Sequence, residues 1–213
     1  MLTNLVYQHR CISLSKTKTN KMKQLRFLFP NDPWRYLFLA SPDRDLAARV
    51  MDVKEDFYFS YGHKIAVDTL PHITLAAFNA TKDLEASLIA LLQKICAGYS
   101  RFTTPLQDFA GFERYDKSTI YIKVQTHQPF LELAKGLRAV NHLLQTDGCS
   151  SAYLVNHPHL TVAKWIPYLM YLEAMEDFNS RSFRDVFVVN NLLLLKKQEG
   201  DEKYQRVTTI RLF

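Results

Sequence analysis

The sequence of 213 residues has few cysteines and no long apolar run. Cys11, Cys96 and Cys149 are an odd number without C-x-x-C spacing, which indicates neither a disulfide framework nor a cysteine zinc site and fits a reducing cytosol. The longest apolar stretch, Val186 to Leu195, is short and interrupted by two asparagines, so no membrane-spanning helix is predicted. With 47% hydrophobic residues, the composition predicts a soluble cytoplasmic protein with a substantial core and no membrane partner.

Acidic residues are scarce near the N-terminus. Residues 1–35 hold seven of the 27 Lys and Arg residues but only one of the 21 acidic residues, which leaves 20 of each sign in residues 36–213. The net charge of +6 therefore lies in the N-terminal arm, and the neutral remainder gives no argument for a long basic nucleic-acid groove. We interpret residues 1–33 as a flexible basic extension or a mis-assigned start, with Met22 as the true first residue; a transit peptide is the alternative.

Two short segments repeat one pattern at an offset of 87 residues. The segment LPHITLAAF, residues 70–78, and the segment NHPHLTVAKW, residues 156–165, share Pro-His-apolar-Thr-apolar-Ala. Helix-like segments that begin at Pro42, after a Ser41 N-cap, and at Pro129 show the same offset. Their matching apolar positions are Leu46, Val50, Val53 and Phe57 in the first segment and Leu133, Leu137, Val140 and Leu144 in the second.

The pattern around these segments predicts an α+β fold. A helix is predicted over Thr81 to Ala97, followed by the strand-like runs FTTPLQDFAGF and STIYIKVQ; the second copy carries FRDVFVVNNLLLLKK and YQRVTTIRLF. We therefore predict that residues 34–213 form a single bilobed domain, a monomer built by internal duplication. Each lobe is predicted to be an antiparallel sheet flanked by helices, with one His-x-Thr strand per lobe at a central cleft.

The His-x-Thr strands have a chemistry that follows from strand geometry. Because side chains alternate between faces, His72 and Thr74 lie on one face, as do His159 and Thr161. Two imidazoles across a cleft act as acid and base, and two hydroxyls donate to phosphate oxygens, which would give metal-free hydrolysis of a phosphodiester. Lys164 is an odd number of residues from His159 and so lies nominally on the opposite face.

Two alternatives remain at this point. About one H-x-[Ser/Thr] match is expected by chance, so both histidines can be ordinary strand residues with structural partners. The H-x-H pair of His157 and His159 has a spacing that suits zinc, although Pro158 intervenes and no third ligand lies nearby.

The motifs HITL and HLTV, at equivalent places in the repeat, resemble those of the two-histidine (2H) phosphoesterase superfamily, in its 2′-5′ RNA ligase-like branch, over about residues 34–213. The resemblance implies a bilobed duplicated fold without metal or other cofactor. It implies hydrolysis of 2′,3′-cyclic phosphates or 2′-5′ linkages, with an RNA 3′ end or a small cyclic nucleotide as substrate. A binding module of the same fold that has lost catalysis is the alternative.

The resemblance also assigns roles to residues. It makes His72 and His159 the acid and base, Thr74 and Thr161 the phosphate-holding hydroxyls, and Lys164, in HLTVAK, a phosphate contact. Tyr204 matches a recurrent C-terminal tyrosine of the family and is a further candidate for substrate binding. Phe78 and Trp165, which follow the two motifs, are candidates for a base pocket, with core packing as the alternative.

Overall fold

The computed structural model describes residues 33–115 and 117–213. The predicted extension, residues 1–33, lies outside this part of the chain except for its last residue. In chain order the described strands are β1 (Trp34–Ala40), β2 (Ile73–Ala80), β3 (Phe102–Phe112), β4 (Ser118–Val124), β5 (Tyr153–Leu154), β6 (His159–Ile166), β7 (Arg184–Val189), β8 (Asn191–Lys197) and β9 (Gln205–Arg211). The α-helices are α1 (Arg44–Tyr61), α2 (Glu85–Cys96), α3 (Gln128–Leu137), α4 (Val140–Thr146) and α5 (Tyr168–Ser180).

The strands form two antiparallel sheets. Sheet A has five strands in the order β5-β2-β1-β8-β9, and sheet B has four in the order β6-β4-β3-β7. The offset of 87 residues relates β2 to β6 and β3 to β8, and these strands occupy the first and third places of the orders β2-β1-β8-β9 and β6-β4-β3-β7. The predicted fold class, two lobes that each hold an antiparallel sheet with helices, is confirmed.

Each copy of the repeat contributes to both sheets. The offset of 87 residues relates β3 to β8, yet β3 lies in sheet B and β8 in sheet A. The helices are exchanged in the same way: α1 packs against β6 of sheet B, whereas α3 packs against β2 of sheet A. The lobes are therefore not successive halves of the chain, which the repeat alone did not reveal.

Three predicted segments differ in detail from the structure. Helix α1 begins at Arg44, because the Asp43 carboxylate accepts a hydrogen bond of 2.9 Å from the Leu46 amide and so caps the helix in place of Ser41. The helix predicted from Pro129 is divided into α3 and α4 by the turn at 138–139. The run FRDVFVVNNLLLLKK is two strands, since the chain leaves sheet B after β7 and enters sheet A at β8, next to Asn190.

The helix stripes are buried largely as predicted. In α1, Leu46, Val50 and Phe57 are 0–1% exposed, whereas Val53 is only partly covered. The fourth fully buried position of this helix is Lys54, at 1% exposure. No helix in the described part of the chain is long and apolar enough to cross a lipid bilayer.

We predict that the contact between α1 and α5 contributes much of the stability of the lobe that contains sheet B. Phe178 of α5 is 0% exposed, and its ring centroid lies 5.8 Å from that of Phe57 and 4.9 Å from that of Phe109. Phe178→Ala should lower the free energy of unfolding by about 3–5 kcal/mol in urea denaturation. Phe59→Ala is the matched control, because Phe59 is 79% exposed and should change it by about 0.5 kcal/mol or less. Equal losses in both variants would contradict this packing.

Candidate active site

Two histidines stand at equivalent points of β2 and β6. His72 directly precedes β2, and His159 is the first residue of β6. In each, Nδ1 lies 2.8 Å from the carbonyl oxygen two residues earlier, that of Leu70 or of His157. A carbonyl only accepts, so Nδ1 carries the proton and donates it, and Nε2 is left for proton transfer. In the described part of the chain, neither Nε2 has a hydrogen-bond partner.

Burial alternates along both strands as the sequence predicts. Side chains directed into the lobes are 0% exposed, namely Ile73, Leu75, Leu160 and Val162. Half-buried side chains between them are His72, Thr74, His159 and Thr161. The strands therefore present an imidazole and a hydroxyl on the face that is turned away from each core.

The two histidine strands approach each other from different sheets. Residues of β2 and β6 come within 8 Å of each other, Cα to Cα. Burial is the largest cause of a lowered pKa in both His72 and His159. The charges of Lys164, Lys54 and His159 lower the pKa of His72 further, against its hydrogen bond to Leu70. The imidazoles and two lysines therefore share one electrostatic environment.

A β-bulge in each strand alters the direction of the residues that follow. In β2, Ala76 and Thr74 pair with successive residues of β1, so Leu75 is the extra residue. In β6 the extra residue is Val162, which is 87 positions later. Because an extra residue reverses the alternation, Lys164 lies on the same face as His159 and Thr161 despite its odd separation. The bulge removes the objection that simple strand parity raised to Lys164.

The bulged part of β6 is anchored by a buried lysine. Because β6 is an edge strand, its outer carbonyls have no neighbouring strand. Lys54 Nζ donates to the carbonyl oxygens of Thr161, at 3.4 Å, and Val162, at 3.2 Å, and His63 Nε2 donates to that of Lys164, at 2.9 Å. Helix α1 and the turn after it therefore satisfy the backbone groups that the edge and the bulge leave unpaired.

A second irregularity lies at Trp165. This residue is the extra one between the pairs formed by Lys164 and Ile166, and its φ of 58° is in the left-handed region. Such a φ is uncommon for a bulky residue and is found mostly where the surroundings enforce it. The Trp165 side chain is 55% exposed, and Lys164 Nζ lies 4.8 Å from its ring centroid. An exposed aromatic surface therefore lies beside the lysine.

Phe78 and Tyr204 have different surroundings. Phe78 is 4% exposed and stacks on Tyr36, with the centroids 5.6 Å apart, so it belongs to the core of sheet A and has no open face for a base pocket. Tyr204 is half-buried, and Lys197 Nζ lies 5.2 Å from its ring centroid. The charge of Arg35 acts against the rise in the pKa of Tyr204 that burial causes. Tyr204 therefore lies near two cationic side chains, those of Lys197 and Arg35.

Aromatic and histidine side chains surround His159. The ring centroids of Phe112 and Tyr121 lie 5.1 Å and 5.2 Å from that of His159. The ring of His157 is 6.3 Å away, and its Nε2 lies 3.3 Å from the Tyr121 hydroxyl. The ring centroid of His127 lies 4.9 Å from that of His157. Within residues 33–115 and 117–213, no three His, Cys, Asp or Glu side chains are grouped as metal ligands would be.

Comparison with known proteins identifies the family. The family model of the 2′-5′ RNA ligase superfamily matches residues 42–201, which include both histidine motifs. This chain belongs to that superfamily. The family predicted from the two motifs is confirmed, and with it the coarse assignment to the phosphoesterases. A search of curated proteins finds no match.

Solved structures share the fold of this chain. E. coli LigT, crystallised with 3′-AMP, superposes with a TM-score of 0.60 at 19% sequence identity, over 85% of this chain and 99% of that chain. The protein TT0787 of Thermus thermophilus gives a TM-score of 0.60 at 18% identity, over 84% and 97% of the two chains. At this level of identity the likeness shows the fold.

Sequence reasoning missed several residues around this 2′-5′ RNA ligase-like site. Lys54 follows Val50 by four residues and precedes Phe57 by three, so it lies on the buried stripe of α1, and this spacing was the available signal. Tyr121 alternates with buried apolar residues in β4 and resembled core. His63, outside any strand, carried no readable signal.

We predict that Lys54 makes the stability of this protein depend on pH in the alkaline range. Burial, with help from the charge of Lys164, lowers the pKa of Lys54 to about 8, whereas an unfolded lysine titrates near ~10.4. Between these values the unfolded chain binds more protons, so this residue makes the free energy of unfolding rise with pH. The free energy of unfolding, measured by urea denaturation at pH 8 and at pH 10, should increase less with pH in Lys54→Met than in wild type.

The control is Lys94→Met, at an exposed position of α2, which should follow the wild-type dependence on pH. Parallel pH dependence in wild type and Lys54→Met would contradict the predicted contribution of Lys54.

Proposed function

We propose that this protein is a metal-free phosphodiesterase that hydrolyses 2′,3′-cyclic phosphates, or 2′-5′ linkages, at RNA or nucleotide ends. One observation carries the proposal: His72 and His159 each have Nδ1 fixed by a carbonyl and Nε2 without a partner in the described chain, on strands that approach each other. Two fixed imidazoles suit a reaction that moves one proton away from water and one onto a leaving oxygen.

The reaction follows from these two groups. One Nε2 accepts a proton from water as the water oxygen forms a bond to phosphorus. The bond from phosphorus to one ribose oxygen breaks, and the other Nε2–H protonates that oxygen, so the product is a 2′- or 3′-phosphate. The hydroxyls of Thr74 and Thr161 donate to the non-bridging oxygens, and the Lys164 ammonium offsets their charge.

We assign the general base to His72 and the general acid to His159. The charges of Lys54 and Lys164 oppose protonation of His72, and neither acts comparably on His159. Neighbouring ammonium groups favour the neutral imidazole, which is the form that accepts a proton. His159, enclosed by Phe112 and Tyr121, keeps a fixed orientation from which it donates.

The surroundings of the histidines offer a place for the nucleoside. The exposed ring of Trp165 lies next to Lys164 and is suited to stacking on a base. Tyr204 lies beside Lys197. The E. coli LigT structure contains 3′-AMP, a nucleoside monophosphate of the kind that this reaction releases. We expect adenosine 2′,3′-cyclic phosphate to be a suitable first substrate.

We predict that each histidine is required for turnover. His72→Ala and His159→Ala should each lower kcat by about 10²- to 10⁴-fold, because a positioned acid or base contributes that much. Product formation from adenosine 2′,3′-cyclic phosphate in the presence of EDTA measures the loss, and the 2′- or 3′-phosphate formed identifies the oxygen that leaves. His142→Ala, at an exposed position of α4, is the matched control and should be fully active.

Near-wild-type rates in either active-site variant would contradict the proposed mechanism. Binding of 3′-AMP by a wild-type protein that turns over no cyclic phosphate would instead favour a binding module without catalysis.

We predict that Lys164 determines the pH range of activity. Because the pKa of both histidines is lowered, the maximum of kcat/KM should lie below pH ~6.5, the ordinary pKa of histidine. Lys164→Gln removes a charge that lowers the pKa of His72, so that pKa rises and the acidic limb of the profile moves to higher pH. Lys94→Gln should leave the limb in place. A limb that does not move in Lys164→Gln would refute the assignment of His72 as base.

A further inference from the structure

Two cations lie side by side on the face of sheet A that carries Thr74. Arg35 of β1 and Lys197 of β8 are Cα partners in an antiparallel pair, so their side chains project from the same face. Along β1 this face continues through Leu37 to Leu39, whose Cα partner in β2 is Thr74. The cationic pair therefore shares its face with the hydroxyl that we place on the reacting phosphate.

The pair lies some distance along the strand from that phosphate. Arg35 is four residues from Leu39, which corresponds to about 14 Å at roughly 3.4 Å per residue. Burial is the largest cause of the lowered pKa of Lys164, and the charges of Arg35 and Lys197 lower it further. The charge of Lys164 in turn lowers the pKa of His72. Lys164 therefore links the two places electrostatically. The place beside Arg35 is therefore distinct from the place of the reacting phosphate, although the two share one electrostatic environment.

The cationic pair lacks the neutralisation that the neighbouring lysine has. Lys196, on the other face of β8, lies 2.5 Å from a Glu85 carboxylate oxygen. Within residues 33–115 and 117–213, no carboxylate lies within 4.0 Å of the charged nitrogens of Arg35 or Lys197. Like charges opposite each other in a sheet destabilise it, so an anion bound between them would relieve this repulsion.

Tyr204 completes the group with a rigid polar side chain. Lys197 Nζ lies 5.2 Å from the Tyr204 ring centroid, so the ring faces the ammonium, and Lys197 also donates to the Asp201 carbonyl at 3.5 Å. The tyrosine is half-buried, whereas Arg35 is exposed. A guanidinium, an ammonium and a phenol hydroxyl together supply the donors that a phosphate monoester or diester accepts.

We propose that Arg35, Lys197 and Tyr204 form a second phosphate subsite, which holds the 5′-phosphate of the nucleotide whose 2′,3′-cyclic phosphate reacts at the histidines. This inference rests on the proposed function and narrows its substrate class. The preferred substrates are RNA 3′ ends and 5′-phosphorylated nucleotides, in which a phosphate precedes the terminal ribose. Free nucleosides that carry only the cyclic phosphate use the histidine site alone.

A pair of substrates that differ in one group tests the subsite. Adenosine 2′,3′-cyclic phosphate is compared with the same compound carrying a 5′-phosphate, and the ratio of their KM values is measured. In wild type the 5′-phosphate should lower KM about tenfold or more, as expected for charge-assisted hydrogen bonds. In Arg35→Gln and in Lys197→Gln this ratio should fall toward one. Arg184→Gln, an exposed arginine on β7, is the matched control and should keep the wild-type ratio.

Binding measurements test the subsite independently of catalysis. Calorimetric titration with 3′-AMP and with adenosine 3′,5′-bisphosphate gives the same comparison without turnover, so it reports on the subsite even if the proposed reaction fails. Tighter binding of the bisphosphate that is lost in Arg35→Gln and Lys197→Gln supports the proposal. Equal affinities in wild type, or a preference that both variants retain, overturns it.

Discussion

The candidate active site depends on an edge strand that does not pair regularly. The extra residue Val162 brings consecutive carbonyls of β6 to one side, where no neighbouring strand can reach them, and a buried ammonium and an imidazole take over that task. The arrangement costs a buried charge, since burial lowers the pKa of Lys54. In return, the strand holds His159, Thr161 and Lys164 on one face, which regular pairing would not do.

Sheet A has an equivalent bulge, which different groups support. There the extra residue is Leu75, and its carbonyl accepts a hydrogen bond of 2.9 Å from the amide of Val155, just after the short strand β5. The bulged strand of sheet A is thus covered by another strand, and the bulged strand of sheet B by side chains from helix α1 and the turn after it. The repeat preserves the bulge and the histidine geometry, whereas the groups that support them differ.

Strand periodicity and the repeat were enough to predict that His72 and Thr74 share one face, as do His159 and Thr161, because alternation and an offset are visible in the sequence. Their catalytic roles stay a prediction. The face of Lys164 required the family resemblance, since a bulge leaves no mark in a sequence and simple parity gave the opposite face. The buried position of Lys54 conflicts with the ordinary preference of lysine for solvent, so its place on an apolar stripe was easily overlooked. Sheet membership was not readable, because the run around Asn190 changes sheet without any break in its apolar character.

The exchange of segments between the lobes has a mechanical consequence. In chain order α1 follows β1 of sheet A but packs on sheet B, and α3 follows β4 of sheet B but packs on sheet A, so the chain passes repeatedly from one lobe to the other. Domain closure in other proteins occurs by rotation at a few hinge residues, whereas within residues 33–115 and 117–213 several separate connections join these two lobes. The separation of the two imidazoles is therefore a property of the folded framework, already present before any phosphate arrives.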